Sequence, residues 1–541
     1  MNTGLTYQMR WAWSLTKGYR SELFWYFIIE LAAIFLSLAF VYWSKQAVDF
    51  AIAKDSSALK EALILSAVCL LLAMFGRIFS RWLNERTRIA MLSDLQNSVT
   101  RNQMMASWKV VKQLHSGDIQ VRIHSDCKEI VYMIGYSWLS FMLTTIRLLA
   151  SFGFLWSMDP MLALLILAIS PLLIFSKVYF KKLRKLNTDT KEAESVFGNV
   201  LQENLRFRLS IRVLGMHRTR WAKTKGSQEQ LVRLKKRLLN FSTLSQGMVK
   251  LVMNAGFLLT FVWGVYRLYT NEISFGTMTA FLQLVGRVQA PMLGMMAFVP
   301  LFIRFRTSVQ RVQELMNVDI EEEEEAEIIS TPKAIRVAGL TFGYEDRLVI
   351  DNLHAVMRVG KPTALLGASG KGKTTFIRLL LALLDPDSGQ IDIHADQRLI
   401  SLKKKHRANM AYVPQGDKLF TGTIRENLAI GEVAPTMDDI KRVLYIACAE
   451  FVYGLPNGLD TYIGESGYGL SEGQAQRIAI ARALLNDCSI WIFDEVTSAL
   501  DEKTSDLLMD RLLEAGDDKI LIFATHDMAL ANNCDEVIYI K

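Results

Sequence analysis

The sequence predicts a membrane α-helical bundle of six spans followed by an α/β domain built around a phosphate-binding loop. Three observations carry this: charge is unevenly distributed, six long apolar stretches are confined to the first 320 residues, and a glycine-rich strand–loop–helix lies in the remainder. The chain has 541 residues, of which 51% are hydrophobic and 21% charged. At about 150 residues per domain it holds more than one domain. It is too charged to lie wholly in lipid, and its mean hydropathy of +0.19 is too high for a purely soluble enzyme. Aromatic residues at 10% exclude disorder for the bulk of the chain. The net charge of +8 alone would suggest nucleic acid or an anionic membrane as partner. Residues 1–320, however, carry 39 Lys+Arg against 19 Asp+Glu, whereas residues 321–541 carry 23 against 35. The positive charge therefore belongs to the apolar half, and no nucleic-acid partner is expected.

The apolar stretches run over Leu23–Trp43, Ala62–Phe79, Val131–Trp156, Met161–Phe180, Leu251–Tyr269 and Phe275–Ile303. A helix crossing a bilayer core needs about 20 residues, so six spans fit. Pro171, Pro291 and Pro300 argue against strands, whereas membrane helices tolerate proline. The connections alternate: 51–60, Ser157–Pro160 and Thr270–Ser274 are short, and those after spans two and four are long and basic. Residues 81–130 hold eight Lys+Arg and residues 177–250 hold eighteen. Basic loops stay cytoplasmic, so both termini and both long loops are expected there. Helical extensions of the spans should fill part of these loops, as over Leu231–Leu239.

Residues 1–20, with Arg10, Trp11, Trp13, Lys17 and Arg20, suggest an interfacial helix rather than a signal peptide. The membrane domain is then expected over 21–316. An acidic linker over 317–332, centred on Glu321–Glu327, is expected to stay solvated and extended. The five cysteines match no zinc spacing and read as reduced, structural thiols.

From Lys333 to the C-terminus, strands alternate with helices. The short apolar strand Thr363–Leu366 runs directly into Gly367-Ala368-Ser369-Gly370-Lys371-Gly372-Lys373-Thr374-Thr375. This is the G-x-x-x-x-G-K-[ST] phosphate loop in the context that gives it meaning. Its glycines let backbone N–H groups approach phosphates. A helix over Phe376–Leu384 should present its positive end to them. Lys373 is expected at the β- and γ-phosphates, and Thr374 at Mg²⁺. A second strand, Ser489–Phe493, ends in Asp494-Glu495. Asp494 is placed to hold Mg²⁺, and Glu495 to act as general base for an attacking water. The domain is thus expected to be an α/β P-loop nucleoside-triphosphatase that takes a nucleoside triphosphate and Mg²⁺, with ATP as the nucleotide implied by the resemblance that follows.

Leu470-Ser-Glu-Gly-Gln-Ala-Gln-Arg477 resembles the signature of ATP-binding-cassette (ABC) ATPases. The motif order also matches: Tyr344, the phosphate loop, Gln415 in Tyr-Val-Pro-Gln, the signature, Asp494-Glu495, Ser498-Ala-Leu-Asp501 and His526 in Ala-Thr-His. Gly464-Glu-Ser-Gly467 and Leu419–Leu428 resemble exporter segments. Ser116–Arg122 with Asp126 resembles the first coupling segment of that class. Ser308, Arg311 and Glu314-Leu315 resemble the exit from its sixth helix. The resemblance implies that Tyr344 stacks on adenine and that Gln415 binds Mg²⁺ or water. It also implies that His526 bonds the γ-phosphate, and that Ser471, Gly473 and Gln474 close over nucleotide held by a second subunit. Asp501 would communicate across that dimer. Glu472 departs from the family pattern, which commonly has glycine there.

With six spans and one nucleotide domain, the chain resembles an exporter-type half-transporter, working as a homodimer or a heterodimer in a lipid bilayer. Its expected place is the bacterial inner (cytoplasmic) membrane, with the nucleotide domain and both termini cytoplasmic. Coupling is expected near Gly117–Asp126 and Glu203–Val213. The cargo expected is an amphiphile such as a lipid, peptide or drug-like molecule; an ABC-type channel or regulator is the alternative. Ionisable groups inside a membrane mark function by default. Glu30, Arg147, Gln283 and Arg287 are therefore the candidates to line a cavity for an amphiphile with an anionic group.

Overall fold

Leucine-, isoleucine- and phenylalanine-rich runs without turn residues have one way to satisfy their backbone in lipid, the helix. In a computed structural model of the chain, residues 5–540 are described apart from 109–115, 170–175, 297, 323, 345–346, 369, 396–397, 417–418, 430–433 and 465–468. The chain forms two compact units: Met1–Met104 with His115–Asn317, and Met105–Leu114 with Val318–Lys541.

The first unit is helical throughout: α1 (Leu5–Ser14), α2 (Arg20–Ile52), α3 (Ser56–Met104), α4 (Gly117–Met158), α5 (Pro160–Ile169), α6 (Ser176–Arg206), α7 (Arg208–Val213), α8 (His217–Tyr269), α9 (Phe275–Met296) and α10 (Phe298–Met316). Four of these helices, carrying the first, second, third and fifth expected spans, are long and apolar enough to cross a membrane. The fourth and sixth expected spans run across 170–175 and 297, which lie outside the described residues. The helical extensions expected in the basic loops are present: Leu231–Leu239 sits inside the 53-residue α8.

Buried Val41, Leu155, Ile166, Phe281 and Leu284 pack α2, α4, α5 and α9 together. Other faces are apolar yet open. Phe24, Phe35, Phe75, Phe79 and Phe261 are 43–60% exposed, which suits hydrocarbon and not water. Asp159 opens α5 by accepting from the Met161 and Leu162 N–H groups, and its other oxygen accepts from Trp263 Nε1 at 3.0 Å. Two wider π turns, Arg122–Asp126 and Met133–Ser137, interrupt α4. Such turns re-aim side chains. The first turns Asp126 toward α10, where Ser308 Oγ donates to it at 2.9 Å. Arg311 and Arg122 bridge Asp118, and Arg122 reaches Glu314. The segment resembling the first coupling element is therefore tied to α10 within the first unit. The residues grouped with the second unit are the preceding ones, Met105–Leu114.

The second unit has two main sheets. An antiparallel one is ordered β2-β1-β4-β5, from β1 (Pro332–Tyr344), β2 (Arg347–Arg358), β4 (Ser388–Ala395) and β5 (Arg398–Ser401). A parallel one is ordered β11-β3-β10-β9-β6, from β3 (Thr363–Leu366), β6 (Met410–Val413), β9 (Ile490–Asp494), β10 (Ile520–Thr525) and β11 (Glu536–Tyr539). Two-residue strands β7 (Gly422–Thr423) and β8 (Tyr462–Ile463) pair separately. Every residue of β3, β9 and β10 is buried, as expected for parallel strands covered on both faces. The principal helices are α11 (Lys373–Leu380), α12 (Met437–Ile446), α13 (Glu472–Leu484) and α14 (Glu502–Ala515).

Helix α11 starts three residues before the expected Phe376 and stops four before Leu384. It ends early because Ala382 adopts φ 48° and Arg407 ties down the carbonyls of Leu381 and Ala382. The acidic linker has no helix or strand over its described residues 321–330, yet it is not free. Glu321 accepts from Arg407 at 2.5 Å, Glu327 pairs with Lys405 at 2.6 Å, and the Ile329 N–H donates to Asn409. These basic partners, remote in sequence, turn the expected solvated spacer into a strap on the second unit. Its residues 105–107 and 319–321 also pair, with the Glu321 N–H donating to the Met105 carbonyl.

Candidate nucleotide site and membrane cavity

Register in the parallel sheet places Ala524 beside both Leu365 and Asp494. The loops leaving β3, β9 and β10 therefore emerge side by side at the carboxyl edge, where open α/β sheets bind ligands. After β3 the chain makes a tight cradle. Gly370 and Gly372 have φ of 80° and 107°. A Cβ on Gly367 would lie 2.7 Å from the Ile540 carbonyl oxygen. The turn is held by the Lys371 N–H donating to Ala368. Lys373 is 5% exposed, and its Nζ donates to the Gly367 carbonyl at 2.7 Å, so the ammonium folds back over the loop. Thr375 is buried at the start of α11. Ser369 lies outside the described residues.

Thr374 Oγ1 donates to Asp494 Oδ2 at 3.2 Å, and Asp494 is 1% exposed. Burial pushes the Asp494 carboxyl above its ordinary range, and the neighbouring Glu495 adds to this. A buried carboxylate and a hydroxyl side by side are hard oxygen donors of the kind Mg²⁺ takes, so these residues fit that ion. Glu495 follows with φ 52°, a left-handed backbone that costs a non-glycine residue about 1–2 kcal/mol. The conformation is over-determined: its N–H donates to Ala524, and its carbonyl accepts from Gln476 Nε2 and Ser498 Oγ. Strain of this kind, held by its surroundings, collects at functional sites. Three groups converge on its side chain. Gln415 Nε2 donates at 2.5 Å, His526 Nδ1 lies 3.4 Å away, and Lys373 Nζ lies 3.8 Å away.

Tyr344 ends β1, packs edge-on against Phe342 and accepts from Arg378 of α11 at 3.4 Å. Arg378 in turn lies over the Trp108 ring at 5.4 Å. Ser471 caps α13 and Gln474 completes a capping box with it, so both serve the helix start. A Cβ on Gly473 would lie 2.7 Å from the Ala499 carbonyl oxygen, which explains glycine there. Asp501 caps α14 through Thr504, whose bonds hold the Asp501 carboxyl below its usual range. Glu472 is exposed in the first turn of α13. Glu465–Gly467 of the exporter-like loop lies outside the described residues.

In the membrane unit, Arg147 and Arg287 line one cavity of about 460 Å³ with Arg77, Ser37, Thr144 and Ser151. Gln283 and Glu30 are engaged elsewhere: Gln283 donates to Ser44 at 3.2 Å, and Glu30 accepts from Ser80 at 2.5 Å. The sequence reading missed Arg77, although it falls inside the second apolar stretch and carried the same signal as the others. It also gave no role to Gln476, inside the signature segment, or to Arg378, three residues after Thr375, because their partners Glu495 and Tyr344 come near only when the loops fold back.

A two-unit chain with a helical membrane domain and a phosphate-loop domain of this topology defines an ATP-hydrolysing membrane transporter. The sequence matches the family described as ABC transporter transmembrane region over residues 23–292 and that described as ABC transporter over 350–498. The chain belongs to the ABC transporters, with the architecture of an exporter half-transporter. It is 28% identical over 463 residues to the uncharacterized ABC transporter ATP-binding protein YwjA of Bacillus subtilis, covering 83% of this chain and 79% of that one. It is 27% identical over 456 residues to an ATP-dependent lipid A-core flippase of Syntrophus aciditrophicus, covering 83% and 75%. Its fold is similar to that of a bacterial Atm1-family ABC exporter solved with ATP bound, with TM-score 0.78, 21% identity, and 96% and 94% of the two chains covered. It is thus a multi-pass membrane protein that binds and hydrolyses ATP to drive export.

Proposed function

We propose that the protein exports or flips an amphiphilic substrate as a dimer, by alternating access. The observation that carries the hydrolytic part is the convergence of Gln415, His526 and Lys373 on Glu495, beside Thr374–Asp494. Lys373 and the backbone of Gly367–Gly372 bind the β- and γ-phosphates of ATP. Thr374 and Asp494, with Gln415, hold Mg²⁺, which supplies charge neutralisation for the triphosphate. Glu495 accepts the proton of the attacking water at a carboxylate oxygen, and Gln415 and His526 orient that water and the γ-phosphate. Tyr344 stacks on adenine, its hydroxyl steered by Arg378. Ser471, Gly473 and Gln474 complete the site of a second copy of the chain, and Asp501 lies at the same junction. Closure of two nucleotide domains would then drive the membrane helices, with the nucleotide domains in the cytoplasm of a bacterial inner membrane.

The reading is tested with purified protein in proteoliposomes, measuring ATP turnover and translocation of labelled lipids, peptides and drugs, with the mass of the assembly determined in parallel. A monomer with full turnover, or an ion current without cargo movement, would overturn it.

A further inference from the structure

Helix α11 carries the phosphate-loop residues Lys373 and Thr374 at its start and is only eight residues long. At 1.5 Å per residue its far end lies about 12 Å from them. That end closes in a left-handed turn. The Leu383 N–H donates to the Arg378 carbonyl and the Ala382 N–H to that of Leu379, with Ala382 at φ 48°. Glycine usually takes this place, because a Cβ disfavours the left-handed backbone. The carbonyls of Leu381 and Ala382 then point beyond the helix. Arg407 donates to both, from Nε at 2.8 Å and from Nη2 at 2.5 Å. A cation also suits the negative end of a helix.

The same guanidinium forks onto Glu321, with Nη1 and Nη2 at 2.5 and 3.2 Å from its two carboxylate oxygens. Glu321 follows shortly after α10, which ends at Met316. Its segment is paired in turn. The Ser107 N–H donates to Asp319 and the Glu321 N–H to Met105, so Ala106 and Ile320 face each other between these bonds. Met105 directly follows α3. The segments that continue α3 and α10 into the second unit are thus joined to each other. They reach α11 at two points. Glu321 holds its end through Arg407. Trp108 lies against Arg378, with the guanidinium 5.4 Å from the ring centre, and Arg378 reaches the Tyr344 hydroxyl at 3.4 Å. A guanidinium over an indole face is an attractive pair.

We propose that Arg407 and Arg378 are positioning residues of the nucleotide site, and that the joined segments 105–108 and 319–321 set its ATP affinity by holding α11 in place through them. This rests on the reading of Lys373, Thr374 and Tyr344 as ATP contacts. Glu495 is fixed separately, by Ala524, Gln476 and Ser498, none of them on α11. Loosening α11 therefore misplaces the phosphate cradle and Tyr344 while the base keeps its place. Affinity then changes more than the rate at saturation.

The test uses the full chain in nanodiscs. Binding is read with the non-hydrolysable analogue AMP-PNP and Mg²⁺, and KM and kcat by phosphate release. Arg407→Gln should weaken binding and raise KM by about tenfold, the size of one charge-assisted bond, with kcat little changed. Glu321→Gln spares the carbonyl bonds and should raise KM by about threefold. The double variant should be no worse than Arg407→Gln alone, as expected for one shared contact. Arg378→Gln and Trp108→Leu should raise KM, whereas Arg378→Lys and Trp108→Phe, which keep the cation and the aromatic face, should recover part of the loss. Lys441→Gln, exposed on α12, should match wild type. Ala382→Gly separates positioning from stability. Added to Arg407→Gln, it should raise the melting temperature by relieving the left-handed backbone, without restoring KM. Full recovery of KM by Ala382→Gly overturns the proposal. Lys373→Ala reports on the underlying reading. If it binds AMP-PNP like wild type, that reading fails. If it loses binding while Arg407→Gln and Trp108→Leu keep wild-type affinity, the positioning role alone is overturned.

Discussion

Gln415 Nε2 donates to Glu495 Oε2 across 2.5 Å, joining the loop after β6 to the strained residue after β9. The bond aims one carboxylate oxygen while His526 and Lys373 flank the other. If Glu495 is the base, Glu495→Gln keeps the shape and removes the proton acceptor. Steady ATP turnover should fall by about 10²–10⁴-fold, with nucleotide binding retained. Phosphate release and equilibrium binding check this, and turnover at the wild-type rate would remove Glu495 from the role.

Asp494 makes a pH-dependent prediction. Its folded-state carboxyl lies above the ordinary value because it is buried. The folded state therefore holds its proton to higher pH than the unfolded chain does. Its charge costs stability as pH rises from the ordinary carboxylate range through the raised value, and that cost persists at neutral pH. Asp494→Asn should raise the melting temperature of the nucleotide domain at pH 7, by about 2–4 °C for each kcal/mol relieved. The difference should vanish toward pH 3. Turnover should be lost, since the variant removes a proposed Mg²⁺ oxygen. A lower melting temperature at pH 7 would show that Asp494 is stabilised by its partners rather than strained by burial.

Gly473→Ala should cost stability whether or not it touches nucleotide. Its Cβ would meet the Ala499 backbone oxygen at 2.7 Å, and overpacking of this kind costs about 1–3 kcal/mol. Gly454→Ala, where nothing lies within 4 Å, is the matched control and should be near neutral. Chemical denaturation of both variants decides it.

Ser308→Ala removes the hydroxyl that bonds Asp126 at 2.9 Å in a buried setting. Leaving that oxygen short of a partner should cost about 1–3 kcal/mol. Thermal unfolding in detergent measures it, and Ser308→Thr should recover part of the loss. An unchanged midpoint for alanine would mean that Arg311, 3.3 Å from the other Asp126 oxygen, already suffices.

Burial pushes the thiols of Cys488 and Cys534 up to about 11. The thiolate is the reactive form, so alkylation of either at pH 7.5 should be slower than for free cysteine by roughly 100-fold. Mass spectrometry of the labelled peptides reads this, and rapid labelling of the folded protein would contradict the burial.

How much was legible in the sequence differs by scale. Thr363–Leu366 matches its strand because a short apolar run before a glycine loop has one reading, while the second strand ran one residue further, to Asp494 itself. The end of α11 was misplaced because Arg407, far along the chain, closes it. The acidic linker looked free because Arg407 and Lys405 are invisible as partners until the chain folds.

Local sequence by itself determined the apolar helices, the phosphate loop and the order of motifs, since periodicity, glycine placement and charge act over a few residues. Tertiary structure alone decided which of the scattered charges meet. It joined Gln415, Glu495 and His526 at one sheet edge, through parallel register. It set Arg77 with Arg147 and Arg287 while turning Glu30 to Ser80 and Gln283 to Ser44. The physical reason is that side-chain electrostatics depends on distance in space, and helix packing and strand register set that distance among residues hundreds of positions apart.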